Sequence, residues 1–214
     1  MGITIRRATY EDAPFIAWVM FAAARSHLDY GIWEIYVGGI KEDCLRFLEL
    51  IATTDIPHLF HYSIFIIAED NGKPVAALSG YDPEESGMTS FIRSLPEVYS
   101  KFGWSMSDQN AAFERFSPFF SCVPDDAEGA WIVESVAVLP EYRKQGIVSR
   151  LLDEILDIGR GKGHKLAQIG VMIGNTPARR AYEKSGFHFL DEKRSSDFEA
   201  VYGSPGISRL IMDL

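Results

Sequence analysis

The sequence predicts an α/β fold, a twisted mixed sheet that is partly parallel and flanked by helices. Three observations carry that expectation. Strand-like and helix-like runs alternate from Trp131 to Leu190, and strand, helix, strand order implies right-handed crossovers between parallel neighbours. Asn71-Gly72 divides two β-rich runs, which is a strong hairpin signal. Near the N-terminus, apolar residues recur at helical spacing. The length of 214 residues suits one domain, 1–214, carrying an insertion.

Taken in order, Ile3 and Ile5 read as a strand, and Asp12-Ala13-Pro14 as a helix start with an Asp cap and an early Pro. Phe15, Ile16, Val19, Met20 and Ala23 give the following helix one buried face, and a second helix lies around Cys44 to Ile51. Ser63 to Glu69 and Pro74 to Gly80 are the hairpin strands. The 46 residues 83–128 break the pattern with Pro83, Pro96 and Pro118, an acidic tail at Asp125-Asp126 and many aromatics. Helical spacing from Ala112 to Phe120 makes this a helical and loop insertion between the third and fourth strands. Its aromatics, among them Phe91, Phe102, Trp104, Phe113 and Phe116, are expected to form the insertion's own core.

Trp131 to Val138 is the next strand, followed by a turn at Pro140 and a helix with Ile147, Val148, Leu151, Leu152 and Ile155 on one face. Gly159, Gly161 and Gly163 end that helix. Leu166 to Ile173 is a strand, Thr176 to Ser185 a short helix, Gly186 to Leu190 a strand, and Ser208 to Met212 the last strand.

Composition narrows the function. Hydrophobic residues at 47% supply a sizeable core, and a net charge of −9 argues against a nucleic-acid partner, which is gripped by clustered Lys and Arg. No run reaches the length of a membrane span, so neither a membrane role nor a leader is expected, and the cytoplasm is the expected compartment. Cys44 and Cys122 stand far apart, and His58-x-x-His61 lacks a third ligand nearby, so no metal is expected.

The chemistry concentrates in two segments. Val136-Ala137-Val138 leads through Leu139-Pro140-Glu141-Tyr142 into Arg143-Lys144-Gln145-Gly146-Ile147-Val148-Ser149. A strand ending in a polar, glycine-containing turn before a helix offers free N–H groups and a positive helix end to a phosphate. Downstream, Asn175 opens a helix, and Tyr182, seven residues on, shares the face of the helix start. From Gly129 to Leu190 nine Lys/Arg stand against six Asp/Glu, a local excess of +3 in an acidic chain. On the first strand, Glu134 is placed to accept an amine's proton.

Together the segments resemble the paired motifs of the GNAT superfamily of N-acetyltransferases, over about 131–190. Arg143-x-x-Gly146-x-Val148 is similar to the family's pyrophosphate loop, and Asn175 through Tyr182 to Gly186-Phe187 is similar to its second signature. The resemblance implies an acyl-CoA N-acyltransferase-like fold, acetyl-CoA as cosubstrate and a small-molecule or peptide amine as acceptor. It implies that Val136, Ala137 and Val138 lie along the pantetheine arm and that Arg143, Lys144, Gln145, Gly146, Ile147, Val148 and Ser149 hold the pyrophosphate. Asn175 falls on the pantetheine side, and Tyr182 on the proton donor to the departing thiolate. Two departures are Val148, where the family has Gly or Ala, and Gly170, where some members carry a catalytic Glu. The alternatives left open are a CoA-binding module without turnover and a longer acyl donor, in a monomer or a homodimer.

Overall fold

The computed structural model describes residues 2–214. Among these, seven strands form one sheet in the order β1-β2-β3-β4-β5-β7-β6. β1 is Thr4–Arg7, β2 Phe65–Asp70, β3 Lys73–Tyr81, β4 Ala130–Val138, β5 Leu166–Met172, β6 His188–Arg194 and β7 Gly206–Asp213. β4 and β5 run parallel, while the other neighbouring pairs are antiparallel. The expected α/β class and mixed sheet are therefore what the chain adopts. At the β2–β3 turn Asn71 and Gly72 have φ of 52° and 78°, the paired left-handed geometry that a two-residue hairpin requires.

Helices cover both faces. On one lie α1 (Ala13–Arg25), α2 (Ile32–Val37) and α3 (Lys41–Ala52); on the other lie α7 (Ile147–Gly161) and α8 (Thr176–Lys184). Strand alternation explains the continuous apolar run in β2. Phe65 and Ile67 enter the first core beside Phe47 and Leu48, and Ile66 and Ala68 enter the second beside Leu151 and Leu152.

Two expectations need correction. Asp12 does not cap α1: its carboxylate accepts from Thr9 N–H at 2.8 Å and pairs with Arg6 at 2.7 Å, so it braces the end of β1 against the turn before the helix. Residues 83–128 fold as α4 (Pro83–Ser86), α5 (Met88–Phe102), α6 (Met106–Phe116) and a 3-10 turn at Ser117–Ser121, but their aromatics are no separate core. Phe102 and Trp104 pack on Phe47 at 5.2 and 5.0 Å, Phe116 packs on Tyr36 at 5.3 Å, and Phe113 and Phe120 stay exposed.

The reason lies in α2, which sequence periodicity missed because it is only six residues long. Arg115 from α6 donates to the carbonyls of Ile35, Tyr36 and Val37 at 2.8–3.3 Å, satisfying the helix end that would otherwise hold free acceptors. Tyr36 and Tyr99 share a hydroxyl contact at 2.5 Å. α5 tolerates Pro96 in its interior at the loss of one helical N–H. A second missed helix, α9 (Ser196–Tyr202), sends Phe198 and Tyr202 against Phe119, Cys122, Met172 and Ile207. The insertion and α9 together wall the α1–α2 side of the sheet where β5 ends.

Candidate active site

The site begins with an interruption in β4. Ala137 pairs with Ala77, but the next pairing is Glu134 with Ser79, so Ser135 and Val136 face the single residue Leu78. Ser135 takes the left-handed φ of 52° that such a bulge needs. On its other side, the β4–β5 ladder ends at Val133↔Ile169, while β5 continues to Met172 against β7. Residues 134–138 therefore have no strand partner toward β5. Leu139 N–H donates to Val75 O at 2.9 Å, so by alternation the N–H groups of Val138 and Val136 point away from β3, into the gap.

Beyond the strand, the chain turns at Pro140–Tyr142, where the Tyr142 hydroxyl donates to Asp70 at 3.1 Å. Lys144 and Gly146 then adopt φ of 61° and 76°, and α7 starts at Ile147. The backbone N–H groups from Lys144 to Ser149 find no acceptor among the described residues, and the first turn of α7 contributes three of them. A Cβ at Gly146 would meet nothing within 4 Å, so glycine serves the backbone conformation there and keeps the concave side of the turn open. Such a cluster of convergent donors at a helix N-terminus fits a diphosphate. Val148 is half-buried against the α7 core, so its branched side chain is largely accommodated by that packing.

α8 is joined to this loop region through β5. Asn175 Oδ1 accepts from Ala178 N–H at 3.2 Å as the helix cap, and its Nδ2 donates to Ser26 Oγ at 2.7 Å at the end of α1. Tyr182 is buried with Ile169, Val171 and Phe187, and its hydroxyl makes no hydrogen bond among the described residues. Desolvation raises its pKa well above the usual tyrosine value, so the phenol is neutral and keeps its proton at physiological pH.

Glu134 occupies the last position before the bulge. Trp131 and Val133 face the α7 side and Ile132 faces the opposite one, so alternation puts Glu134 with Ile132, across the sheet from Tyr182. Although its side chain keeps partial solvent contact, desolvation and the charge of Asp126 lift its carboxyl to about 7. On the neighbouring strand Gly170 is exposed, and an added Cβ would touch only Ile207, at 3.7 Å, so this side of the gap is open.

Val136 and Val138 thus border the gap, Glu134 and Tyr182 lie on opposite faces of the sheet beside it, and Lys144 to Ser149 and Asn175 follow the C-terminal ends of β4 and β5, whereas Ala137 pairs with Ala77 and packs on the first core. Arg143 extends from the same turn and is exposed. Sequence reasoning did not single out Ser26, whose part depends on a partner 149 residues away, or Gln168, a buried polar residue of β5. Among the described residues no group of three or more His, Cys, Asp or Glu is arranged to hold a metal ion, and no helix is long and apolar enough to cross a membrane.

The family model described as the acetyltransferase (GNAT) family matches residues 32–187. The chain belongs to the GNAT family. GNAT enzymes take the acetyl group from acetyl-CoA and pass it to an amine, and this chain is an N-acetyltransferase of that kind. Solved structures agree on the fold. A structure described as an acetyltransferase matches with a TM-score of 0.68 at 19% identity, covering 98% of each chain. An N-acetyltransferase from Staphylococcus aureus Mu50 matches at 0.65 and 19% identity, over 98% of this chain and all of that one. N-acetylglutamate synthase from Neisseria gonorrhoeae, solved with coenzyme A and N-acetyl-glutamate, matches at 0.52 and 16% identity, over all of this GNAT chain and 35% of that protein. No curated protein matches the sequence.

Proposed function

We propose that the chain acetylates a primary amine by direct attack, with Glu134 as general base and Tyr182 as general acid on either side of the β4–β5 gap. The observation that carries this is the bulge at Ser135 together with the end of the ladder at Val133↔Ile169. It leaves main-chain donors and an acid with a pKa of about 7 facing one opening. Acetyl-CoA supplies the activated acyl carbon. The N–H groups of Lys144 to Ser149, with the exposed Arg143, would hold its pyrophosphate, and the amides of Val136 and Val138 and the side of Asn175 would hold its pantetheine arm.

An alkylamine is mainly an ammonium at neutral pH, so it must lose a proton before it can attack. Glu134, half in its carboxylate form near pH 7, accepts that proton. As the C–N bond forms and the C–S bond breaks, the Val136 amide stabilises charge gathering on the carbonyl oxygen, and Tyr182 donates its hydroxyl proton to the sulfur. The nitrogen then sheds its second proton to water and Tyr182 is reprotonated, so each turnover releases one proton. The test is thiol release with an amine panel by the wild type, Tyr182→Phe and Glu134→Gln. Retention of wild-type kcat by either variant removes that residue from the mechanism.

A further inference from the structure

Around the gap most acids already have a cation. Asp125 is bridged to Lys193 at 2.9 Å, Glu192 to Arg194 at 2.7 Å, and Asp191 to Arg209. Among the described residues neither Glu134 nor Asp126 forms a salt bridge; the Arg209 guanidinium, already paired with Asp191, also acts on Asp126 at longer range. Asp126 comes from the tail of the 83–128 segment, and that tail is fastened to the sheet. Ala127 N–H donates to Gln168 Oε1 at 2.9 Å, Gln168 Nε2 donates to Asp125 O at 3.3 Å, and Arg209 Nη1 donates to Asp125 O at 2.6 Å. Gln168 is 5% exposed, so a buried amide has both its ends committed to holding two loop residues on β5.

A third polar group stands with these two acids. Tyr81 closes β3 opposite Ile132, on the side of the sheet where Glu134 lies, and packs against Ala127. It is 5% exposed, yet its hydroxyl makes no hydrogen bond among the described residues. The charges of both Glu134 and Asp126 reach it, and Asp126 is itself solvent-reachable. The Tyr81 ring is buried while its hydroxyl keeps contact with solvent and has no partner among the described residues; beside two carboxyls outside any salt bridge, it leaves acceptors that a positively charged donor would satisfy.

We infer that Asp126, positioned by Gln168 and Arg209 and assisted by the Tyr81 hydroxyl, binds a second cationic nitrogen of the acceptor, so the substrate is an alkylamine carrying two positive charges. The inference rests on the reading of Glu134 as the group that receives the reacting amine. One nitrogen gives its proton to Glu134 and is acetylated; the other remains an ammonium on Asp126. Acceptors with a carboxylate in the distal position meet Asp126 as a like charge and are rejected.

The test uses putrescine, butylamine and γ-aminobutyrate, which share a chain and differ in distal charge. The wild type is expected to favour putrescine over butylamine by about tenfold in kcat/KM, and to favour γ-aminobutyrate least. Asp126→Asn removes the charge with little change in shape and should bring the first two within about twofold, chiefly by raising the KM for putrescine. Gln168→Leu should do the same with Asp126 intact, because it releases the loop. The same comparison is read without turnover by calorimetry of putrescine and butylamine on the full chain saturated with CoA. Equal use and equal binding of putrescine and butylamine by the wild type, or an unchanged preference in Asp126→Asn, overturns the inference. Glu134→Gln separates the two readings: it should abolish turnover of all three amines and leave the calorimetric preference for putrescine. Turnover surviving in that variant defeats the base assignment while the distal subsite stands.

Discussion

Asn175 Nδ2 donates to Ser26 Oγ at 2.7 Å, tying the first turn of α8 to the last turn of α1 across 149 residues. The same side chain caps α8 through Oδ1, so one amide fixes both where the helix of Tyr182 starts and how it sits against the α1–α2 connection. Asn175→Ala removes the cap and the tie and should cost about 1–2 kcal/mol, whereas Ser26→Ala removes only the tie and should cost about 0.5–1.5 kcal/mol. A double-mutant cycle by urea denaturation should return a coupling of about 0.5 kcal/mol or more; strict additivity would show that the contact contributes nothing.

Tyr182→Phe keeps the ring that packs on Phe187 and removes only the hydroxyl. Its melting temperature and its affinity for CoA are expected to match the wild type, while kcat falls by about a hundredfold or more. A drop in CoA affinity of the same size would assign the hydroxyl to binding.

Glu134 makes two linked predictions. With a carboxyl pKa of about 7, kcat/KM should rise with pH through that value, because the base must be unprotonated. Stability should move the other way. The folded pKa lies above the ordinary 4.5, so the folded state binds the proton more tightly, and stability declines as pH rises from 4.5 to about 7. Glu134→Gln, which cannot ionise, should therefore be more stable than the wild type at pH 8, by on the order of 1–3 kcal/mol, and far less active. Thermal melts at pH 5 and pH 8 check the sign; a variant less stable than wild type at pH 8 would contradict it.

His58 predicts acid sensitivity away from the site. It is fully buried, accepts from Phe60 N–H at 3.1 Å through Nδ1 and lies 3.0 Å from Thr54 Oγ1 through Nε2, and desolvation, aided by His61, lowers its pKa to about 4. The neutral ring stabilises the fold above pH 6.5, and that contribution is lost as pH falls from 6.5 toward 4, by up to about 3 kcal/mol. His58→Gln should flatten the loss in urea titrations between those pH values.

How far the sequence could be read depends on how local each feature is. The strands, the Asn71-Gly72 hairpin, α1, α3, α7 and α8 rest on runs long enough to show their period, and the phosphate turn rests on residues adjacent in the chain. The features that escaped are short or depend on distant partners. α2 and α9 are six and seven residues long, too short for a periodic pattern. The aromatics of 83–128 are apolar whichever core they join, so composition could not tell that Trp104 packs on Phe47. The bulge at Ser135 is invisible in WIVESVAV, because alternation simply slips where β3 and β4 lose register. Glu134 was legible as a candidate, but its raised pKa comes first from burial in the folded sheet and then from the charge of Asp126, which arrives from the far end of the insertion and is secured by Gln168.

Cofactor binding depends on the free donors at the start of α7. The most direct measurement is calorimetric titration of CoA into the wild type and Gly146→Val. Left-handed φ at residue 146 disfavours a branched side chain, and that side chain would stand in the open concavity of the turn. The expected result is a loss of CoA affinity of about tenfold or more, with the melting temperature of the ligand-free protein falling by only a few degrees. Equal CoA affinity in the two proteins, or no binding by the wild type, would contradict the placement of the diphosphate on Lys144 to Ser149.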